Sequence, residues 1–249
     1  MVIQIARLFF VIVCLLQNFS VLGQFYKDIR LGVGIGGSVY CGNQMDEKIS
    51  FSTFNKSEVN SGYNFQIYKG IDENNELGFR YLTTSLWSFK SNNELALNAE
   101  LQEFSLLYQR SLNNNIKMDG SRFTFNLHAG LGLCYFRSAF YDIVNPENAF
   151  QVPFTAIGYG NIQTLNGGVI SEKLLQPLLI GGFNIGYRIS PIFSIYFENS
   201  LSLTNSNKLS GNLLRKSSIP PDGYTYHCIT VYINYSKLHS ASRIKCPKF

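Results

Sequence analysis

The chain has 249 residues, of which only 15% are charged while 14% are aromatic, and its formal net charge is +5. Typical soluble domains carry about 25% charged residues, so this composition disfavours an ordinary soluble protein. The basic residues Lys237, Arg243, Lys245 and Lys248 form a tail without acids, which leaves the rest of the chain near neutral. Nucleic acid is therefore not expected as a partner.

The first residues predict export. Arg7 precedes an apolar run over 8–16, and small residues at 21–23 come just before Gln24, so residues 1–23 are predicted to be a cleaved signal peptide. The apolar run is too short for a membrane helix, which needs about 20 residues. Four cysteines follow, without metal-ligand spacing, and no metal or other cofactor is predicted. Export permits a disulfide, but the sequence leaves their state open. They are Cys41, Cys134, Cys228 and Cys246.

Residues 31–40, LGVGIGGSVY, contain the spacing G-x-G-x-x-G of a dinucleotide-binding loop. That motif needs a following helix and an acidic residue about 20 positions on, whereas the next residues are polar and position 57 is Ser. The stretch instead alternates, with Leu31, Val33, Ile35 and Val39 on one face and mostly glycine on the other. It predicts a strand, with Val33→Asp more damaging than Gly34→Ser.

The same period of two continues along the chain. From Phe123 to Tyr135, apolar residues at odd positions alternate with polar or small residues at even positions without a break. Such alternation is typical of strands with one apolar and one polar face. Eight strands are predicted, over roughly 29–41, 61–69, 76–89, 99–112, 122–139, 173–189, 191–204 and 223–237.

These strands are longer than the 5 to 6 residues usual in a soluble β-sandwich and suit a tilted membrane crossing of about 9 to 11 residues. Their connections alternate between short and long, as in membrane barrels. We therefore predict an all-β fold, an eight-stranded antiparallel transmembrane β-barrel over 24–238, and a short basic periplasmic tail over 239–249. Ten strands are the alternative if residues 140–172 cross twice, but Pro153 disfavours this.

The eight amphipathic segments and the final strand, YTYHCITVYINY over 224–235, resemble the small outer-membrane barrels of the OmpA and OmpX type, and the porin-like barrels of Gram-negative bacteria. The chain differs from OmpA in having only fourteen residues after Tyr235, too few for a peptidoglycan-binding domain. The resemblance implies location in the cell outer membrane, and as partners outer-membrane lipid, lipopolysaccharide and the barrel assembly machinery.

An eight-stranded barrel has an interior filled by side chains. Charges of both signs are predicted to face this lumen, and they should pair because an unpaired buried charge is costly. The inward glycines would make room for long side chains. We expect a structural polar network formed by Arg80, Glu103, Arg122, Asn126, His128, Asn184, Arg188 and Glu198.

The outer loops are the expected seat of function, which would be structural or a surface interaction with an unknown extracellular ligand, and the barrel is expected to be a monomer. One alternative is a narrow small-solute channel. The other is a lipid-modifying enzyme, for which His227 is the candidate. No acid stands at a suitable spacing from His227, so no catalytic residue is assigned and the chain is predicted not to be an enzyme.

Overall fold

The computed structural model describes residues 29–41, 59–90, 95–113, 122–142, 153, 155–159, 162–163, 169–170, 175–204, 209 and 222–235. The predicted signal peptide and tail, and Cys246, lie outside these residues. Three short strands are β6 (Thr155–Gly158), β7 (Ile162–Gln163) and β8 (Val169–Ile170). The eight long strands are β1 (Ile29–Cys41), β2 (Asn60–Gly70), β3 (Asn75–Lys90), β4 (Leu95–Ser111), β5 (Phe123–Asp142), β9 (Leu175–Arg188), β10 (Phe193–Thr204) and β11 (Gly223–Asn234).

The eight long strands close into a barrel. Each pairs antiparallel with its neighbour along the chain, and β11 pairs with β1 to complete the ring. The predicted eight-stranded antiparallel barrel is confirmed. The four residues of β6 do not cross it, because they pair only with the outer end of β5, from Arg137 to Phe140. In hydrocarbon every backbone N–H and C=O needs an internal partner, and closure supplies these partners to the first and last strands.

The stagger of the strands follows from one row of paired residues. Starting at Leu31, the row passes through all eight strands and returns to β1 at Cys41, ten residues further along. Such a stagger tilts the strands by about 40° from the barrel axis, as in other small barrels. The row consists of Leu31, Ile67, Phe79, Leu106, Leu131, Leu179, Leu203, Gly223 and Cys41.

The polarity of the two faces is the reverse of that in a soluble protein. Outward-facing Leu131 and Val33 are 68% and 64% exposed, whereas inward-facing Arg80 is 1% exposed. Exposed apolar residues on every long strand form a continuous belt, which we call the lipid-facing band, as expected of a barrel whose outer solvent is lipid. No helix among the described residues is long and apolar enough to span a membrane.

The two ends of the barrel differ. At the turn end, β2 joins β3 through residues 71–74 and β9 joins β10 through 189–192. Asp72 accepts hydrogen bonds from the backbone N–H groups of Asn74 and Asn75, both at 2.8 Å, and these bonds lower the pKa of the exposed Asp72 carboxyl. At the loop end, β1 joins β2 through 42–59 and β10 joins β11 through 205–222. Outer-membrane barrels have short periplasmic turns and longer extracellular loops, and the connections of this barrel differ between its two ends in the same way.

Strands β3, β4 and β5 continue past the lipid-facing band at the loop end. Strand β4 has 17 residues and begins at Leu95, four residues before the predicted 99. Ala96 and Leu97 are both buried, with exposures of 0% and 1%. Both faces of the strand are covered there, so the apolar residues no longer alternate with polar ones. The length of β4 predicted from the sequence is therefore too short.

Candidate functional site

The interior of the barrel is filled by inward-facing side chains of two kinds. Along β3, Glu76 and Arg80 lie towards the turn end, while Leu82 and Leu86 follow towards the loop end. Strand β4 has the same order in reverse, from Leu97 and Leu101 at the loop end to Glu103 and Gln109. The polar part therefore occupies the turn end and the middle of the lumen, and a mainly apolar part occupies the loop end.

Arg80 and Glu103 form a salt bridge at the centre of the polar part. Arg80 Nη2 and Nε donate to Glu103 Oε1 at 2.7 and 3.0 Å, and the two residues are 1% and 0% exposed. Arg80 Nη1 also donates to Ser200 Oγ across the lumen at 3.1 Å. A buried ion pair is retained at low cost only when its remaining donors and acceptors are also satisfied.

The Glu103 carboxylate satisfies this condition. Ser105 Oγ donates to its Oε1 at 2.8 Å, and Ser202 Oγ and the Tyr224 hydroxyl donate to its Oε2 at 3.2 and 2.5 Å. These donors come from β4, β10 and β11, so one carboxylate joins opposite walls of the barrel.

A second buried carboxylate, Glu198, is held by neutral groups. Gln66 Nε2 donates to Glu198 Oε2 at 2.7 Å, and the Tyr232 hydroxyl lies 2.6 Å from Oε1. Among the described residues no ion pair involves Glu198. The carboxyl group is therefore held by hydrogen bonds from β2 and β11.

A chain of amides leads from mid-barrel to the turn end. Asn126 Nδ2 donates to Asn184 Oδ1 at 2.7 Å, and Asn184 Nδ2 donates to Gln109 Oε1 at 2.8 Å. Gln109 Nε2 donates in turn to Glu76 Oε2 at 2.8 Å, and Glu76 forms a salt bridge with Arg30. The chain thus connects five strands, β5, β9, β4, β3 and β1, and ends on a cation.

Three tyrosine rings surround the Arg30 guanidinium. The centres of Tyr68, Tyr196 and Tyr232 lie 5.6, 5.2 and 4.9 Å from Arg30 Cζ, within the range of cation–π attraction. Arg30 Nη1 also donates to the Tyr196 hydroxyl at 2.9 Å. We call these four residues and Glu76 the Arg30 cage; it fills the turn end of the lumen.

Glycines provide the space for these rings. A Cβ on Gly32 would lie under 3.0 Å from the Tyr232 ring, and one on Gly78 would come equally close to the Tyr68 ring. Gly34 is similarly crowded by Thr230 and Asn64. The expectation that inward glycines make room is consistent with these contacts. A serine at position 34 would require the Thr230 and Asn64 side chains to shift, and the greater damage expected from Val33→Asp stays a prediction.

The loop end is packed with apolar side chains. Leu86 and Phe136 are fully buried, and Leu209, from the connection between β10 and β11, is also 0% exposed. Ser138 Oγ donates to the Leu209 carbonyl oxygen at 2.7 Å, which holds that connection against β5. This apolar packing was not expected from the sequence, which predicts a polar filling.

The eight residues predicted to form the lumen network differ from one another in burial and hydrogen bonding. Arg80, Glu103, Asn126, Asn184 and Glu198 are buried and hydrogen-bonded. His128 is buried, but neither ring nitrogen has a hydrogen-bond partner among the described residues. Arg122 and Arg188 are exposed at the turn end, which corrects their predicted burial. Their positions continue the inward phase, but Arg188 is the last residue of β9 and Arg122 precedes β5, so both side chains lie at the rim of the barrel.

The sequence analysis did not select the Arg30 cage, although a signal was present. Arg30, Tyr68, Glu76, Tyr196 and Tyr232 all occupy even positions of their predicted strands, which is the inward phase of each. Alternation alone could have placed them in the lumen. It could not have shown that they meet.

His227 lies on the outward face of β11, opposite Asn199 of β10 and Gly37 of β1. Asn199 Nδ2 and His227 Nδ1 are 2.9 Å apart. Along its strand, the outward neighbours of His227 are Thr225 and Ile229. None of Asn199, Gly37, Thr225 and Ile229 is an acid, whereas a hydrolytic arrangement pairs the histidine with a carboxylate.

The described cysteines Cys41, Cys134 and Cys228 are free, with the last two buried. Among the described residues, no group of three or more His, Cys, Asp or Glu could hold a metal ion.

The closed eight-stranded antiparallel barrel with an apolar outer face is the fold that the resemblance to the OmpA and OmpX type implies. No family model matches the chain, and no curated protein sequence matches it. Neisserial surface protein A is 8% identical, with a TM-score of 0.49, covering 83% of this chain and 96% of that protein. Ail, the attachment invasion locus protein of Yersinia pestis, is 10% identical, with a TM-score of 0.45 and coverages of 83% and 99%. OprG from Pseudomonas aeruginosa is 10% identical, with a TM-score of 0.36 and coverages of 83% and 96%. These likenesses concern the fold and transfer no function to this chain.

Proposed function

We propose that this protein is an outer-membrane barrel with a plugged lumen and a structural or surface-interaction role through its outer loops. The supporting observation is the filled interior. The Arg30 cage occupies the turn end, the Arg80–Glu103 pair crosses the middle, and Leu86, Phe136 and Leu209 pack the loop end. A solute would have to displace all three groups to pass.

The proposal extends to cellular context. The chain is exported by cleavage of a signal peptide at residues 1–23, is inserted by the barrel assembly machinery, and acts as a monomer surrounded by outer-membrane lipid and lipopolysaccharide. Its function is not enzymatic. The sequence supports this, because no acid stands at a suitable spacing from His227.

A narrow channel for small solutes is the second candidate. It is favoured by inward polar atoms that have no partner among the described residues, namely Asn64 Oδ1, Thr124 Oγ1 and both ring nitrogens of His128. Buried polar atoms of this kind usually bind water, and a file of water molecules would support conduction.

Planar-bilayer recordings separate the two candidates. The plugged barrel is expected to give no discrete conductance steps, and Arg30→Ala, which empties the cage at one end, should give none either because the middle and loop end stay filled. Reproducible steps from the wild-type protein would reject the plug and favour the channel. For the enzyme, an unchanged lipid A mass in cells that express the protein would support the non-enzymatic proposal, and a mass change lost in His227→Ala would reject it.

A further inference from the structure

A polar groove lies on the outside of the barrel, directly beyond the lipid-facing band. The outward row Phe65, Tyr81, Phe104 and Leu133 is wholly apolar or aromatic. The next row towards the loop end is Tyr63, Thr83, Gln102 and Tyr135, and the one after it contains Ser85, Glu100 and Arg137. The outer surface therefore changes from apolar to polar within one row, at the level expected for the boundary between acyl chains and headgroups.

The groove has a volume of about 360 Å³, and its lining comes from three neighbouring strands and the residue after β6. Its outward-facing lining residues are Ser61, Tyr63, Thr83, Ser85, Glu100, Gln102 and Tyr159. Because these side chains point away from the lumen, a ligand would reach them from the surrounding membrane surface rather than through the barrel.

Tyr159 forms a fixed wall of the groove. Its ring stacks on Tyr135 with centres 4.6 Å apart and planes 15° apart. Its hydroxyl donates to Glu100 Oε2 at 3.3 Å, and Arg137 Cζ lies over the ring, 5.6 Å from its centre. Burial and the neighbouring Glu100 raise the pKa of Tyr159, so at neutral pH its hydroxyl stays protonated.

The groove presents hydrogen-bonding groups without net charge. Glu100 is paired with Arg137 at 3.0 Å, and the other outward lining groups are hydroxyls, an amide and tyrosine rings. Hydroxyl and amide groups both donate and accept, and tyrosine offers an apolar face with a polar end. This combination suits the hydroxyl-rich ring of a sugar better than an acyl chain, which needs no polar partner. Any phosphate carried by that sugar would have to stay in solvent, because Arg137 is already paired with Glu100.

We propose that this groove binds the saccharide headgroup of an outer-leaflet glycolipid, in the first instance lipopolysaccharide. The position of the groove argues for a membrane glycolipid over a free glycan, because acyl chains attached to the sugar would lie against Phe65, Tyr81 and Phe104 in the adjoining row. The inference rests on the outer-membrane placement in the proposed function and adds a specific site and ligand class to it.

The test compares matched variants of the full-length protein, purified in detergent, freed of lipid and titrated with lipopolysaccharide. Thr83→Val removes a groove hydroxyl at nearly constant volume and should weaken binding about fivefold. Combined with Gln102→Leu it should weaken binding about thirtyfold, since each lost hydrogen bond contributes about 1 kcal/mol and about 1.4 kcal/mol corresponds to a factor of ten. Thr83→Ser keeps the hydroxyl and should bind like wild type. Thr225→Val makes the same exchange at an outward position of β11, which is separated from the groove strands by β1, and should also leave binding unchanged.

The remaining outcomes overturn the inference in distinguishable ways. Equal affinity in the groove and Thr225→Val variants would reject the groove. Equal affinity of the wild type for lipopolysaccharide and for its acyl-free oligosaccharide would reject the membrane source and favour a free glycan. Folding is checked by the gel shift between unboiled and boiled samples, and a wild type without that shift would reject the barrel itself, and the inference with it.

Discussion

The polar and apolar parts of the barrel interior are both filled by buried side chains, but different interactions hold those side chains in place. In the polar part, each buried group meets a particular partner on a distant strand, as when Tyr224 donates to Glu103 from 121 positions along the chain. In the apolar part, residues such as Leu86 and Phe136 are equally buried but have no directional bond to satisfy. The polar part is therefore sensitive to the identity and position of its partners, whereas the apolar part is sensitive mainly to volume.

The largest effect is expected from breaking the central ion pair. Arg80→Met leaves the Glu103 charge buried without its cation, and should lower the free energy of unfolding by about 3 to 5 kcal/mol. Urea titration in detergent micelles, followed by the gel shift, measures this loss. The double variant Arg80→Met/Glu103→Leu should recover most of it, because apolar replacement of both partners is often neutral. A single variant as stable as wild type would indicate that water reaches Glu103.

A somewhat smaller effect is expected from a cavity in the apolar part. Leu86 is 0% exposed, and Leu86→Ala should cost about 2 to 5 kcal/mol, because the space left behind stays empty. The matched control is Leu131→Ala on the lipid-facing band, where Leu131 is 68% exposed and lipid or detergent can fill the space. If the same titration gave equal losses, the loop end would be open to solvent and not packed.

The smallest loss of stability is expected from a substitution that crowds the polar part of the lumen. Gly32→Ala places a methyl group against the Tyr232 ring and should cost about 1 to 3 kcal/mol through overpacking of the Arg30 cage. Gly181 faces outward with nothing within 4 Å of an added Cβ, so Gly181→Ala should change stability by less than about 0.5 kcal/mol. Both are measured by the same unfolding titration, and similar losses would mean that the cage is too mobile to exclude a methyl group.

Prediction from the sequence succeeded where a local pattern carried the information. Arg80, Glu103 and Glu198 lie inside because each occupies the polar phase of a regular strand. Arg122 and Arg188 share that phase but are exposed, because alternation assigns a face without indicating where the barrel ends. The apolar loop end was missed for a related reason, since Ala96 and Leu97 are buried on both faces and no longer alternate.

The sequence by itself determined the number of long strands and which face of each meets lipid, because the period of two is a property of neighbouring residues. The tertiary structure decided which inward groups meet. Gln66 reaches Glu198 across 132 positions, and Tyr232 reaches the space above Gly32, only once eight pairings and a ten-residue stagger have closed the ring. The registers of all eight strand pairs together decide which side chains meet in the lumen. They also decide which residues share a row on the outer surface, such as Thr83 and Gln102. No single strand contains that information.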